Sequence, residues 1–145
     1  MTHSGNHPFN LKYGKITGRI NDMIKGTGAD IIAIDRIKKA ITVDSKFAEK
    51  IFSPEETDYC RSKIKKEIHF AGRFAAKEAF FKALGTGWRD GMKWTEINVV
   101  NDDLGKPEIR VTGKTLEIFN EKGMGTIHLS ISHTKEFAVA FVIIE

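Results

Sequence analysis

Cysteine occurs once in the 145 residues, at Cys60, which excludes an internal disulfide framework and makes a reducing cytoplasm the expected compartment. With no nucleophile context around it, Cys60 reads as a small packing residue. No apolar run approaches the roughly 20 residues of a transmembrane helix, so no membrane span is expected. The first residues also lack the apolar stretch of a secretory signal. Three common chemistries are missing: there is no Gly-x-x-x-x-Gly-Lys-Ser/Thr phosphate loop, no Gly-x-Gly-x-x-Gly fingerprint and no Cys/His spacing for zinc. Internal repeats and low-complexity tracts are absent too. Charge is not strongly one-sided. A net charge of +4 favours anionic partners such as phosphates, an acidic protein or nucleic acid, without choosing among them.

With 41% hydrophobic and 29% charged residues the chain is ordinary for a globular protein, and its length fits one domain with a modest core. Residues 1–22 are rich in Gly, Asn and His and show no sustained periodicity. Their Lys12, Lys15 and Arg19 faintly resemble a transit peptide, but a natural extension or tag remnant is the simpler expectation. The domain is expected over residues 23–145.

The chain is organised around the stretch Gly72 to Gly87, which reads as the core of a helix from about Glu67 to Leu84, stopped by Gly85-Thr86-Gly87. Phe70, Phe74, Phe81 and Leu84 form one stripe at helical spacing. The opposite side carries Ala75, Ala76, Ala79 and Ala83. A helix apolar nearly all round is buried, yet this one contains Arg73, Lys77, Glu78 and Lys82. Buried charge is costly unless paired or bound to something, so a site is expected here. Lys77 falls in the phenylalanine stripe and receives no role; reaching past the core to solvent and helping to hold a cofactor are the two readings open to it.

Before this helix, Met23 to Ile34 reads as a strand and Asp35 to Ile41 as a short basic helix. Phe47 to Phe52 adds a turn or two, and Ser53-Pro54-Glu55-Glu56 is a capping-box start for a helix reaching about Lys63. After it come strands at Thr95–Val100 and Glu108–Val111, a helix at Lys114–Glu121, and strands at Gly125–Ser132 and Phe137–Ile144. Adjacent antiparallel strands with segregated helices indicate an α+β fold, an antiparallel sheet against a long central helix.

Ser132-His133 invites a nucleophilic-serine reading, but neighbouring strand residues point to opposite faces, so His133 is badly placed as that serine's base. His133 reads instead as a phosphate-binding loop residue or a plain polar turn residue. Asp30, on the first strand, and Glu78, on the buried helix, are the more telling pair. Two carboxylates are too few for a calcium cage but suit magnesium, which takes one or two carboxylates plus substrate phosphate oxygens. The alternatives are a capping aspartate at Asp30 and an i, i+4 salt bridge between Glu78 and Lys82. Arg36, Lys38 and Lys39 form either a solvated face or a docking surface for an acidic partner.

Gly28-Ala29-Asp30-Ile31-Ile32, Phe70 to Phe80, Lys82 to Gly87, Gly105-Lys106-Pro107 and Ser130 to Glu136 together resemble the bacterial holo-[acyl-carrier-protein] synthases, the short form of the 4′-phosphopantetheinyl transferases. The motifs occur in the family's order from Met23 to the end of the chain, and the Arg73 to Ala79 block is highly specific. Ala29 departs from the Thr or Leu often found before the aspartate, and residues 1–22 precede the usual start.

The resemblance implies transfer of the 4′-phosphopantetheine arm of coenzyme A to a serine of apo-acyl carrier protein in fatty acid biosynthesis. Asp30 and Glu78 would hold magnesium, and a metal-bound water would take the serine proton. Lys82 would face the leaving phosphate, while Arg73 and His133 match positions associated with the 3′-phosphate of coenzyme A. Gly85, Gly87 and Lys106 match loops lining the cofactor, and Arg36 a position that receives the carrier protein. It also implies a homotrimer with interfacial sites, in which the central helix faces its own core and a neighbouring subunit. The competing readings are a basic module binding nucleic acid, disfavoured because the phenylalanines fall on core faces, and a transferase for polyketide or peptide synthase carriers.

Overall fold

Two glycines set the distance between the first strand and the longest helix. The computed structural model describes residues 23–89 and 91–145; the expected extension at 1–22 lies outside the described residues. In strand β1 (Gly26–Ala33) the residues Gly26, Gly28, Asp30 and Ile32 turn inward, while Thr27, Ala29 and Ile31 turn outward. A Cβ at Gly28 would lie 2.0 Å from the carbonyl oxygen of Ala79, and one at Gly26 would lie 1.9 Å from that of Ala83. Strand and helix therefore touch backbone to backbone, and no side chain fits at either glycine without moving the two apart.

The helix is α4 (Lys66–Leu84), ended by Gly85 in the left-handed conformation at φ 79°. It crosses the sheet obliquely: Gly72 sits over Ile131, and Ala79 and Ala83 sit over β1. Beneath it lies a three-stranded antiparallel sheet of order β1-β5-β4, with β4 at Ile127–His133 and β5 at Phe137–Ile144. Ala138, Ala140, Val142 and Ile144 of β5 face the helix and are buried.

The other sides of α4 are covered by its own chain. Helices α1 (Ile34–Val43), α2 (Ser45–Ile51) and α3 (Pro54–Arg61) wrap one flank, and Phe52 meets Phe70 with ring centroids 4.9 Å apart. A second sheet pairs β2 (Ile97–Asn101) with β3 (Pro107–Val111), and Phe119 of α5 (Gly113–Glu121) stacks on Phe80. The α+β fold is as expected, and its antiparallel strands fall into two sheets, with β3 lying beside β4 but forming no ladder with it. Most of the apolar surface of α4 is covered by its own chain, while Phe74 and Glu78 stay half-buried and Lys82 exposed. Phe70, Phe80, Phe81 and Leu84 are buried within one chain, and the outer face of the sheet leaves Ile31, Phe137, Val139 and Phe141 exposed side by side.

Lys77 is fully buried and reaches neither solvent nor a ligand cavity, against both readings of it. Its ammonium donates to Glu56 Oε2 at 2.7 Å, to the Ile51 carbonyl at 2.7 Å and to the Trp94 carbonyl at 3.0 Å. Glu56, the capping-box residue of α3, also accepts from the backbone N–H groups of Ser53 and Val99, both at 2.9 Å. One buried ion pair therefore ties α2, α3, α4 and β2 together. Cys60 lies beside it without exposure, its thiol pushed up to about 12 by burial.

Candidate active site

Because β1 is pressed onto α4 at Gly28, the next inward residue, Asp30, arrives at the helix two positions further along the strand. Glu78 and Lys82 lie on consecutive turns of α4, and the ammonium of Lys82 donates to Asp30 Oδ1 at 3.1 Å and to the Ala29 carbonyl at 2.9 Å. The i, i+4 bridge between Lys82 and Glu78 is therefore not what forms. Lys82 reaches across to the strand because both acceptors there sit within its span. Asp30 is a strand residue facing the helix and caps nothing.

Glu78 has its pKa raised above the ordinary carboxylate value, first by partial burial and then by the negative charge of Asp30; Lys82 and Arg36 oppose the shift. Phe74 and Phe81 flank Glu78 at i−4 and i+3, and the Trp94 ring stacks on Phe74 at 5.5 Å and meets Phe81 edge-on at 5.0 Å. Two carboxylates close enough to repel each other and a backbone carbonyl make oxygen donors suited to a cation, and a lysine ammonium is already seated on two of those oxygens. The chemistry of these donors fits magnesium. Among the described residues no group of three or more His, Cys, Asp or Glu gathers to hold a metal, so any remaining ligands would come from water or substrate.

A second cluster is cationic and lies toward the N-terminal end of α4. Arg73, almost fully buried, places its guanidinium 4.1 Å from the centroid of the Tyr59 ring and donates from Nη2 to Asn101 Oδ1 at 2.8 Å. Its Nε has no partner. Lys63 covers the same ring at 4.7 Å, and His69 meets it edge-on at 5.7 Å. His69 has its pKa lowered by burial and then by the positive charges of Arg73, Lys63 and His133. Arg73 and His133 thus share one electrostatic neighbourhood. His133, Thr134, Lys65 and Lys135 line a cavity at this end of α4. Sequence reasoning missed Lys63, Lys65 and His69; the signal was the i, i+4 spacing of His69 and Arg73 behind a run of lysines.

The structure does not gather every expected residue. Asp30, Glu78 and Lys82 converge, with Arg36 of α1 in electrostatic range of Glu78. Gly85 and Gly87 follow one turn beyond Lys82, both at positive φ. His133 stands about two strand spacings and two residues away from Asp30, roughly 12 Å. Lys106 lies in the β2–β3 turn, its N–H held by Asp102 Oδ1 at 2.8 Å, and lines a different cavity with Glu108, Ile127 and His128.

This fold and this pairing of strand and helix carboxylates define a class. Residues 26–142 match the family described as the 4′-phosphopantetheinyl transferase superfamily, and the chain belongs to it. Among individual relatives, it is 49% identical over 125 residues to a holo-[acyl-carrier-protein] synthase of Geobacter sp. (strain M21), covering 85% of this chain and 99% of that one. A crystal structure of holo-[acyl-carrier-protein] synthase from Neisseria meningitidis superposes with a TM-score of 0.77 at 38% identity, covering 85% and 99% of the two chains. A holo-(acyl-carrier-protein) synthase from Bacillus anthracis in complex with CoA (3′,5′-ADP) gives 0.69 at 40% identity, covering 84% and 96%.

Proposed function

We propose that the chain transfers the 4′-phosphopantetheine moiety of coenzyme A to a serine hydroxyl of an apo-acyl carrier protein, in the service of fatty acid biosynthesis in the cytoplasm. The observation that carries this reading is the convergence of Asp30, Glu78 and Lys82 at the β1–α4 seam of a chain in this superfamily. In the reaction the serine oxygen gives up its proton to water and bonds to the phosphorus that carries pantetheine, the bridging P–O bond breaks, and the electron pair leaves with adenosine 3′,5′-bisphosphate.

Asp30 and Glu78 would hold magnesium, which supplies neutralisation of the pyrophosphate charge when bound. Lys82, half-exposed and next to that site, would offset or protonate the departing phosphate. Phe74 and Phe81, packed on Trp94 and flanking Glu78 along the helix, would keep water from one side of it. The cationic cluster of Arg73, Lys63, Lys65, His69 and His133 suits the 3′-phosphate, and the Gly85–Gly87 and Lys106 loops would border the rest of the cofactor. Arg36, on the exposed basic face of α1 with Lys38 and Lys39, would receive the acidic carrier protein.

A homotrimer is part of this reading. The outer face of the sheet presents Ile31, Phe137, Val139 and Phe141, and Ile31 pairs directly with Val139 across the ladder. Such a contiguous apolar face marks an interface. A neighbouring copy seated there would bring its own residues to the site, which accounts for Lys106 and His133 standing apart from Asp30 in one chain.

Incubation with coenzyme A, magnesium and an apo-carrier protein, followed by mass spectrometry of the carrier, tests the activity. The expected result is a gain of one phosphopantetheine; no gain with several carriers would refute it. Asp30→Asn and Glu78→Gln are expected to lower turnover by about 10²–10³-fold or more while keeping the fold. Magnesium-dependent activity retained in either variant would remove that residue from the site.

A further inference from the structure

The ammonium of Lys82 sits where a cation belongs. It lies 3.1 Å from Asp30 Oδ1 and 2.9 Å from the Ala29 carbonyl oxygen, two acceptors contributed by the same strand. Asp30 is largely buried, at 16% side-chain exposure, while Lys82 is 54% exposed, with solvent beside it. Glu78 faces the same charge: Asp30 repels it, and Lys82 and Arg36 are the positive groups that relieve it. The pair of carboxylates is thus already partly neutralised from within the chain, by the residue proposed to act on the leaving phosphate.

We propose that Lys82 is the resident counter-cation of the Asp30–Glu78 pair, and that a divalent cation loads only by displacing its ammonium from Asp30. This rests on reading Asp30 and Glu78 as ligands of a divalent cation. Two consequences follow from mass action. The ammonium competes for Asp30, so apparent cation affinity is lower than the two carboxylates alone would give, by the fraction of molecules in which Lys82 has let go. The coupling is reciprocal, so a seated cation pushes Lys82 off the strand and turns a positive group loose beside the phosphates. Lys82 is held until the site is loaded.

Direct binding of Mn²⁺ to the full chain, followed by the electron paramagnetic resonance signal of the free ion at fixed ionic strength, separates the cases without coenzyme A, carrier or turnover. Wild type, Lys82→Met, Lys82→Gln, Lys82→Arg, Asp30→Asn and Glu78→Gln are compared. Lys82→Met and Lys82→Gln are expected to bind Mn²⁺ roughly 3- to 10-fold more tightly than wild type, because both competitor and repelling charge are gone. Lys82→Arg, which keeps the charge, stays within about 2-fold, and the two carboxylate variants lose binding. A purely structural role for Lys82 would weaken binding in its neutral variants, not strengthen it. If those variants bind as wild type does or more weakly, while Asp30→Asn still abolishes binding, the counter-cation role is overturned and the cation site stands. If neither wild type nor the neutral variants bind saturably, the cation site fails and this role with it.

Discussion

Lys77 donates a 2.7 Å hydrogen bond to Glu56 with both side chains completely shut from solvent, one residue before the carboxylate proposed to hold the metal. The pair fixes the azimuth of α4 relative to α3 and β2, and so fixes which way Glu78 faces. Burial pulls the Lys77 ammonium below its ordinary pKa, while Glu56 opposes that shift. Lys77→Met is expected to cost about 3–5 kcal/mol, because Glu56 is left as an uncompensated buried charge. Adding Glu56→Gln to Lys77→Met should cost less than the sum of the two single changes, as measured by urea unfolding. Strict additivity would show that the two groups do not act as a unit.

Gly28→Ala places a methyl against the Ala79 carbonyl, where only backbone could yield. The strand must lift from the helix, which should lower stability by roughly 1–3 kcal/mol. Activity should fall further than the loss of folded protein explains, since Asp30 moves with the strand. Thermal melts and transfer rates on the same samples separate the two effects.

Glu96 caps α5 from outside the helix, accepting from the N–H of Lys114 at 3.1 Å, the N–H of Thr115 at 3.0 Å and the Thr115 hydroxyl at 2.7 Å. Burial acts to raise its pKa, but these bonds and one from the Lys93 N–H outweigh it, holding the group below its ordinary 4.5. A depressed carboxylate stabilises the fold above its unfolded value and loses that contribution as pH falls through the folded value. Glu96→Gln is therefore expected to cost about 1 kcal/mol at neutral pH. The gap from wild type should close below about pH 4.5, checked by unfolding across the acid range.

If the cationic cluster receives the 3′-phosphate, Lys65→Ala and His133→Ala should raise KM for coenzyme A by about 10-fold each, the value of one charge-assisted contact. They should leave KM for 3′-dephospho-coenzyme A unchanged. An equal rise for both substrates would place the two residues elsewhere on the ligand.

Local signals were readable in the sequence. The Ser53–Glu56 capping box, the glycine stop of α4 and the alternation of β5 all depend on residues a few positions apart, and each forms as its pattern predicts. Asp30 and Glu78 stood out as a carboxylate pair from residue type alone, but the choice between a shared site and separate capping and salt-bridge roles needed the family resemblance. What spacing alone could not show were partners distant along the chain. Lys77 looked misplaced because Glu56 lies 21 positions away, and Lys82 looked paired to Glu78 because Asp30 lies 52 positions away. The division into two sheets was hidden for a similar reason, since β3 and β4 carry strand patterns whether or not they join one ladder.

Cys60 offers a different use of the same architecture. The chain's single thiol is sealed between α3 and α4 and holds its proton far above neutral pH, so it is inert to thiol-directed reagents while that seam is closed. A maleimide can reach it only when the seam parts. Its labelling rate is therefore a built-in clock for opening events that ordinary unfolding curves average away, readable on the unmodified chain.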